Sequence, residues 1–353
     1  MNGVVLESHS VQGNPEDIPE TKIVGAYGLR RCPKLVEQVC SDNVDVRVSA
    51  LAVVCDEFTN PYSIQGCMKA GLATTLAKMI SDPDFSTRER ATRALAMAAQ
   101  DANGVSAILE KHVVLVEILN GIKDPSEAVR ANVYNCLLSI SSSQAGREAS
   151  VVAGIVFNFV DALLRDNDHL KVKILQTLCN IVTVPQGLEE ALGAEAVKIC
   201  ITLMGSKNEK LQEEATRTLA TLCFSETAKE EALEGGAIVV LTEFLQKKYP
   251  HTLKVAAAMA IMAITSTTTG RIQMHSPEAV RLLSAILQEE HHRALRLNIL
   301  KVITNIAVYP PIRQLFLEDS PLIKFMEKLS TSEDDKLLVK HATLALEAVH
   351  WKP

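Results

Sequence analysis

Nine histidines, eight cysteines and 42 carboxylates are the groups with which this chain of 353 residues could do chemistry, so their spacing comes first. The densest cluster is Glu289-Glu290-His291-His292. Consecutive residues on a helix point roughly 100° apart, so the two imidazoles do not converge on one ion, and the cluster falls where an inter-helix turn is expected. It reads as a solvated turn. The cysteines form no Cys-x-x-Cys pair. Cys136, Cys179 and Cys223 fall on or beside apolar helical seams with no histidine near in sequence, which reads as buried core thiols and not as nucleophiles. The phosphate-loop, dinucleotide and nucleophile-elbow motifs are missing. The expectation is a protein with no catalytic residue, no cofactor, no metal and no small-molecule substrate.

Charge and hydropathy narrow the partners. With 36 Lys+Arg against 42 Asp+Glu, the net charge of −6 argues against nucleic acid, which calls for a basic excess. The longest apolar run, 255–264, is too short to cross a bilayer, so no membrane partner is expected. The first residues lack a basic region followed by an apolar core, and unpaired cysteines fit a reducing compartment. Both point to the cytoplasm. Aromatic residues make up only 4%, with one tryptophan, Trp351. A core poor in rings suggests many thin helical layers packed through small side chains, and hence internal repeats.

The repeat is present. From Arg88, apolar residues follow at Ala91, Leu95 and Ala98, all on one helical face. The same frame starts at Arg47, Arg130, Lys171, Gln212, Lys254, Arg296 and Val339, and successive starts differ by 41, 42, 41, 41, 42, 42 and 43 residues. Short polar turns precede these helices, such as Ser81-Asp82-Pro83-Asp84 and Gly205-Ser206-Lys207-Asn208, where Asp and Ser can cap a new helix while Pro ends the old one. A second apolar helix lies before each turn, clearest at 236–245, with counterparts at 154–164, 193–204, 72–80 and 277–287; several open after glycine. No segment alternates with period two long enough to need a strand. The fold class is therefore all-α: a right-handed armadillo/HEAT-like α-solenoid of about eight repeats of about 42 residues. Residues 1–22 read as a flexible extension and 23–353 as a single solenoid. Residues 23–30 could cover the first repeat's edge, and Trp351 reads as a cap on the last helix pair.

The Gly-Gly-Ala-Ile-Val-Val-Leu stretch at 235–241 and the Ala-x-x-x-Leu frame resemble the armadillo consensus over roughly residues 30 to 350. That resemblance implies that the last helix of each unit lines a groove. Positions two, five and nine after each frame start share one ridge. They read Arg90/Arg93/Met97, Asn132/Asn135/Ser139, Lys173/Gln176/Asn180, Glu214/Arg217/Thr221, Ala256/Met259/Ala263 and Asn298/Lys301/Asn305. Five of these are basic and one is acidic in a chain that is acidic overall. The ridge is expected to bind an acidic or extended segment of another protein through Arg90, Arg93, Asn132, Asn135, Lys173, Gln176, Asn180, Arg217, Lys301 and Asn305. Nuclear-import armadillo receptors carry tryptophan four residues before ladder asparagines. Here the residues four before Asn180 and Asn305 are Gln176 and Lys301, which argues against that subclass.

A more specific pattern lies near the start. Ala26-Tyr27-Gly28, Arg30, Pro33-Lys34-Leu35, Leu51, Cys55-Asp56, Pro61 and Ile64, together with Lys352-Pro353, resemble the radial spoke head protein fourteen family of cilia and flagella. What the resemblance implies is a non-catalytic subunit of the axonemal radial spoke, the T-shaped complex joining doublet microtubules to the central pair, with other radial spoke proteins as partners. The alternative left open is a general cytosolic armadillo-repeat adaptor.

Overall fold

The computed structural model describes residues 28–332 and 335–352. The extension expected over 1–22, most of the cover expected over 23–30, and Pro353 lie outside the described residues. Among the described residues the chain is built of helices alone, 23 α-helices and two short 3-10 turns. It divides into two compact units, Met1–Cys136 and Leu137–Pro353.

Eight long helices carry the eight frames: Val44–Glu57, Phe85–Ala98, Glu127–Ile140, Asp168–Ile181, Glu209–Leu222, His251–Ile264, Arg293–Ile306 and Lys336–His350. In every one the frame residue read from the sequence is the fourth residue of the helix. In the first unit two shorter helices precede Phe85–Ala98, namely Pro61–Lys69 and Leu72–Met79, and two precede Glu127–Ile140. The second unit repeats this three-helix pattern from Gln144–Val152 to Lys336–His350. Within each unit successive third helices lie against one another, as Val44–Glu57 does on Phe85–Ala98 and Glu209–Leu222 on His251–Ile264.

The turns work by local chemistry. Asn43, Asp84, Asn167 and Asn208 each accept a backbone N–H from the first turn of the third helix that follows. The frame residue then closes the turn behind it. Arg47 Nη1 donates to the carbonyls of Ser41 and Asp42, Arg88 Nη1 to those of Asp82 and Pro83, and Gln212 Nε2 to that of Ser206. The two arginines also reach one repeat onward: Arg47 pairs with Asp82 at 3.2 Å and Arg88 with Asp124 at 2.7 Å.

Four second helices open after a left-handed residue, which is glycine in three of them: Gly71 (φ 91°), Gly154 (φ 81°) and Gly236 (φ 70°). The expectation that the helix over 193–204 opens at Gly193 is corrected. Gly193 ends the preceding helix Pro185–Gly193, and the left-handed residue is Glu195 at φ 58°. That conformation costs an L-residue about 1–2 kcal/mol, so the chain spends stability there where three other repeats use glycine. A second use of glycine is steric. A Cβ on Gly146, third in its helix, would stand 1.9 Å from the Ile140 carbonyl oxygen, and one on Gly104 would stand 2.0 Å from that of Ala98. First helices therefore press directly onto the end of the preceding third helix.

Candidate protein-binding ridge

The third helices bring the ridge residues to the seam between neighbouring repeats. In the first unit, Arg90 is half-buried and its Nη1 donates to the Val48 carbonyl at 2.6 Å, 42 residues back. Asn132 Nδ2 donates to the Glu89 carbonyl at 3.2 Å and to Thr92 Oγ1 at 3.3 Å. Asn135 is half-buried on the same helix, whereas Arg93 is exposed. The Arg93 guanidinium lies close enough to Cys55 to draw its thiol down, although burial dominates and pushes that thiol up to about 11.

In the second unit Asn180 Nδ2 donates to Ser141 Oγ at 3.1 Å, and Asn305 Nδ2 to the Met262 carbonyl at 2.9 Å. Lys173 is half-buried. Lys301 is also half-buried and lies near His341, whose proton affinity falls mainly through burial and then through that ammonium. The amide ladder is therefore a set of clips between repeats: asparagine donors satisfy hydroxyls or helix carbonyls one repeat back. A partner meets side chains already committed in part to the stack.

Glu209–Leu222 holds a denser network. Glu214 is 1% exposed, yet carries a carboxylate. Lys210 Nζ stands 3.0 Å from it, Arg217 Nη1 3.4 Å, and Gln176 Nε2 donates to it at 2.8 Å. Buried Glu213 pairs with Arg217 at 2.6 Å and Lys210 at 3.1 Å, and accepts from Thr252 of the next third helix at 3.0 Å. Burial works against the Lys210 ammonium, but its bonds to Glu214 and Glu213 outweigh this and raise its proton affinity. Two anions and two cations close on one another. The five-to-one basic excess expected along the ridge is thus offset at Arg217, because Glu213 lies one position outside the ridge as read from sequence.

The next third helix presents no charge on its ridge: Ala256 and Ala263 are buried and Met259 is half-buried. Glu209–Leu222 and His251–Ile264 lie against one another, the latter helix burying five alanines, with the Thr252–Glu213 bond as a polar link.

The remaining candidate chemistry behaves as core or turn. Cys136 and Cys223 are buried, which pushes both thiols up to about 12; Cys179 is half-buried and also raised. Cys40 is exposed. His291 and His292 stand in the gap between two helices, where His292 stacks on His251 at 5.7 Å. Among the described residues no three His, Cys, Asp or Glu side chains are grouped to hold a metal ion.

Sequence reading missed two sets of residues. One is the cross-repeat acids, whose signal was an acid 35 or 36 residues beyond a frame cation: Asp82 after Arg47, Asp124 after Arg88, Glu290 after Lys254. The other is Arg313, which carries Trp351 on its guanidinium at 5.0 Å. Trp351 does lie on the last helices, though it is 57% exposed.

Stacked three-helix units with a clipped third-helix ridge define an armadillo-repeat fold, and comparison with known proteins agrees. The family described as "Plant U-box protein ARM repeat region" matches residues 44–262, and the chain belongs to that armadillo-repeat family. Radial spoke protein 14 of Chlamydomonas reinhardtii is 25% identical over 249 residues, 67% of this chain and 64% of that protein; this chain thus spans less than two thirds of that relative. The crystal structure of an engineered protein superposes with a TM-score of 0.83 at 22% identity, covering 92% of this chain and 79% of the other. A designed armadillo repeat protein, solved in complex with peptide (KR)4, superposes at 0.60 and 21% identity, over 66% of this chain and 99% of the design.

Proposed function

We propose that this chain is a non-catalytic scaffold of the ciliary or flagellar axoneme, a radial spoke subunit that holds an acidic, extended segment of another spoke protein along its third-helix ridge. The observation that carries the axonemal assignment is the 25% identity to radial spoke protein 14 across 249 residues. The even spacing of the frames supports reading residues 23–353 as one run of repeats. Stability distributed over repeats suits a subunit of a force-bearing assembly, because no single interface carries the whole fold.

The ridge gives the partner its sign. Arg93 is the exposed cation, while Arg217 is matched by Glu213 and Glu214, so the acidic segment should depend on the Phe85–Ala98 ridge first. Lys173, Gln176, Lys301 and the ladder asparagines would add shape and backbone contacts.

Two experiments test the two levels. Tagged full-length chain expressed in ciliated cells should remain with axonemes after detergent and salt extraction; recovery only in the soluble fraction would favour the general cytosolic adaptor. Arg93→Glu combined with Arg217→Glu should release the groove partner from the extracted complex, and full retention of every partner would sink the ridge assignment.

A further inference from the structure

The end of the second unit carries a feature that the ridge does not explain. Helices Pro310–Glu318 and Lys336–His350, with the turn at Val308, enclose a cleft of about 490 Å³ lined by Val308, Arg313, Leu344, Glu347, Ala348 and Trp351. Its walls are apolar and open: Val308, Leu344 and Trp351 are all exposed large hydrophobics. Arg313, only 9% exposed, is among the lining residues. Its guanidinium stacks against the Trp351 ring and, among the described residues, makes no ion pair or hydrogen bond.

That combination is unusual for a structural arginine. The other deeply buried cations of this unit have acids: Lys254 has Glu290 at 3.2 Å and Lys229 has Glu226 at 2.7 Å. A guanidinium that lines a cleft against an indole, largely withdrawn from water and without a counter-ion, is the arrangement that rewards a carboxylate most. The indole and the aliphatic wall would take a bulky apolar neighbour of that carboxylate. Glu347 at the rim disfavours a second negative charge, so a run of acids is a poor fit.

We infer that this terminal cleft is a second protein-docking site, whose occupant is a segment of a partner protein carrying one aspartate or glutamate beside a leucine or phenylalanine. The carboxylate pairs with Arg313 and the apolar side chain lies against Trp351 and Val308. The site is separate from the third-helix ridge and does not rest on the axonemal assignment.

Trp351 is the chain's one tryptophan, so its fluorescence reports on this cleft directly. The full chain is titrated with four acetylated peptide amides, Asp or Glu followed by Leu or Phe, and with the matching Asn and Gln peptides. The acidic peptides should give a saturable change in tryptophan emission and the amide peptides none. Arg313→Met, which keeps the apolar stem, should weaken binding by about tenfold or more. Val308→Glu, at an exposed position where folding is not in question, should do the same by charge repulsion. Lys324→Met, on the exposed face of a neighbouring helix, should bind like the parent. The inference is overturned if no acidic peptide gives a saturable change, if Asn and Gln peptides bind as well as their acids, or if Val308→Glu binds within twofold of the parent. Any of these results would leave the ridge and axoneme experiments unaffected.

Discussion

Arg217 and Arg313 both belong to the second unit, and their surroundings are opposite. Arg217 is 42% exposed in its side chain and is bonded to two buried carboxylates. Arg313 is far less exposed and, among the described residues, its guanidinium is bonded to none and stacks on an indole face instead. Burial alone therefore says little about which cation serves the fold and which is kept for a partner. What separates them is whether the chain supplies its own counter-ion, which for Arg217 comes from the preceding turn of its own helix.

The sharpest way to break the comparison is to remove the counter-ion at Arg217. Glu214→Ala leaves Lys210, Arg217 and Gln176 without their shared acceptor, and should destabilise the chain by about 2 kcal/mol in urea melts. That is less than breaking a fully buried pair, since both cations are about half exposed. The same variant should make the ridge more positive and tighten binding of an acidic peptide there. Next in size, Asn305→Ala removes a clip to the Met262 carbonyl and should cost about 1 kcal/mol in the same measurement. Arg313→Met should cost less than about 1 kcal/mol, because only a cation–π contact is lost; a cost like that of Glu214→Ala would mean that Arg313 serves the fold after all. Arg93→Glu, at an exposed position, should change stability by no more than about 0.5 kcal/mol while partner retention falls.

The smallest effect belongs to the surface pair of Arg293 and Asp335. The bond from Arg293 holds the Asp335 carboxyl down to about 2 from an ordinary 3.8. Because the folded value is depressed, the pair's contribution is complete above pH 3.8 and disappears as pH falls through about 2. NMR titration of the Asp335 side chain should find that midpoint, and Arg293→Ala should move it upward.

The repeat was legible because apolar spacing is a local signal. Ala91, Leu95 and Ala98 lie on one turn-to-turn stripe whatever surrounds them, and the frame residue fell at the fourth position of all eight helices. The ridge was legible as a set of positions but not as a charge. Glu213 sits one residue from the ridge and four before Arg217 on the same helix, a spacing that the ridge positions alone left out. Gly193 looked like the helix-opening glycine because glycine usually fills that role, yet the chain placed Glu195 in the left-handed conformation, a choice without a residue-type signal. Trp351 could be read as a cap, but its partner Arg313 lies 38 residues back and shares no motif with it.

The contact between Glu209–Leu222 and the alanine-rich helix His251–Ile264 has a thermal consequence. Junctions closed by asparagine donors keep their hold on cooling, whereas apolar contact weakens as temperature falls. In the cold, this pair of helices should be the first in the second unit to exchange its amide protons with solvent, like a seam that opens in winter while the riveted plates beside it stay shut.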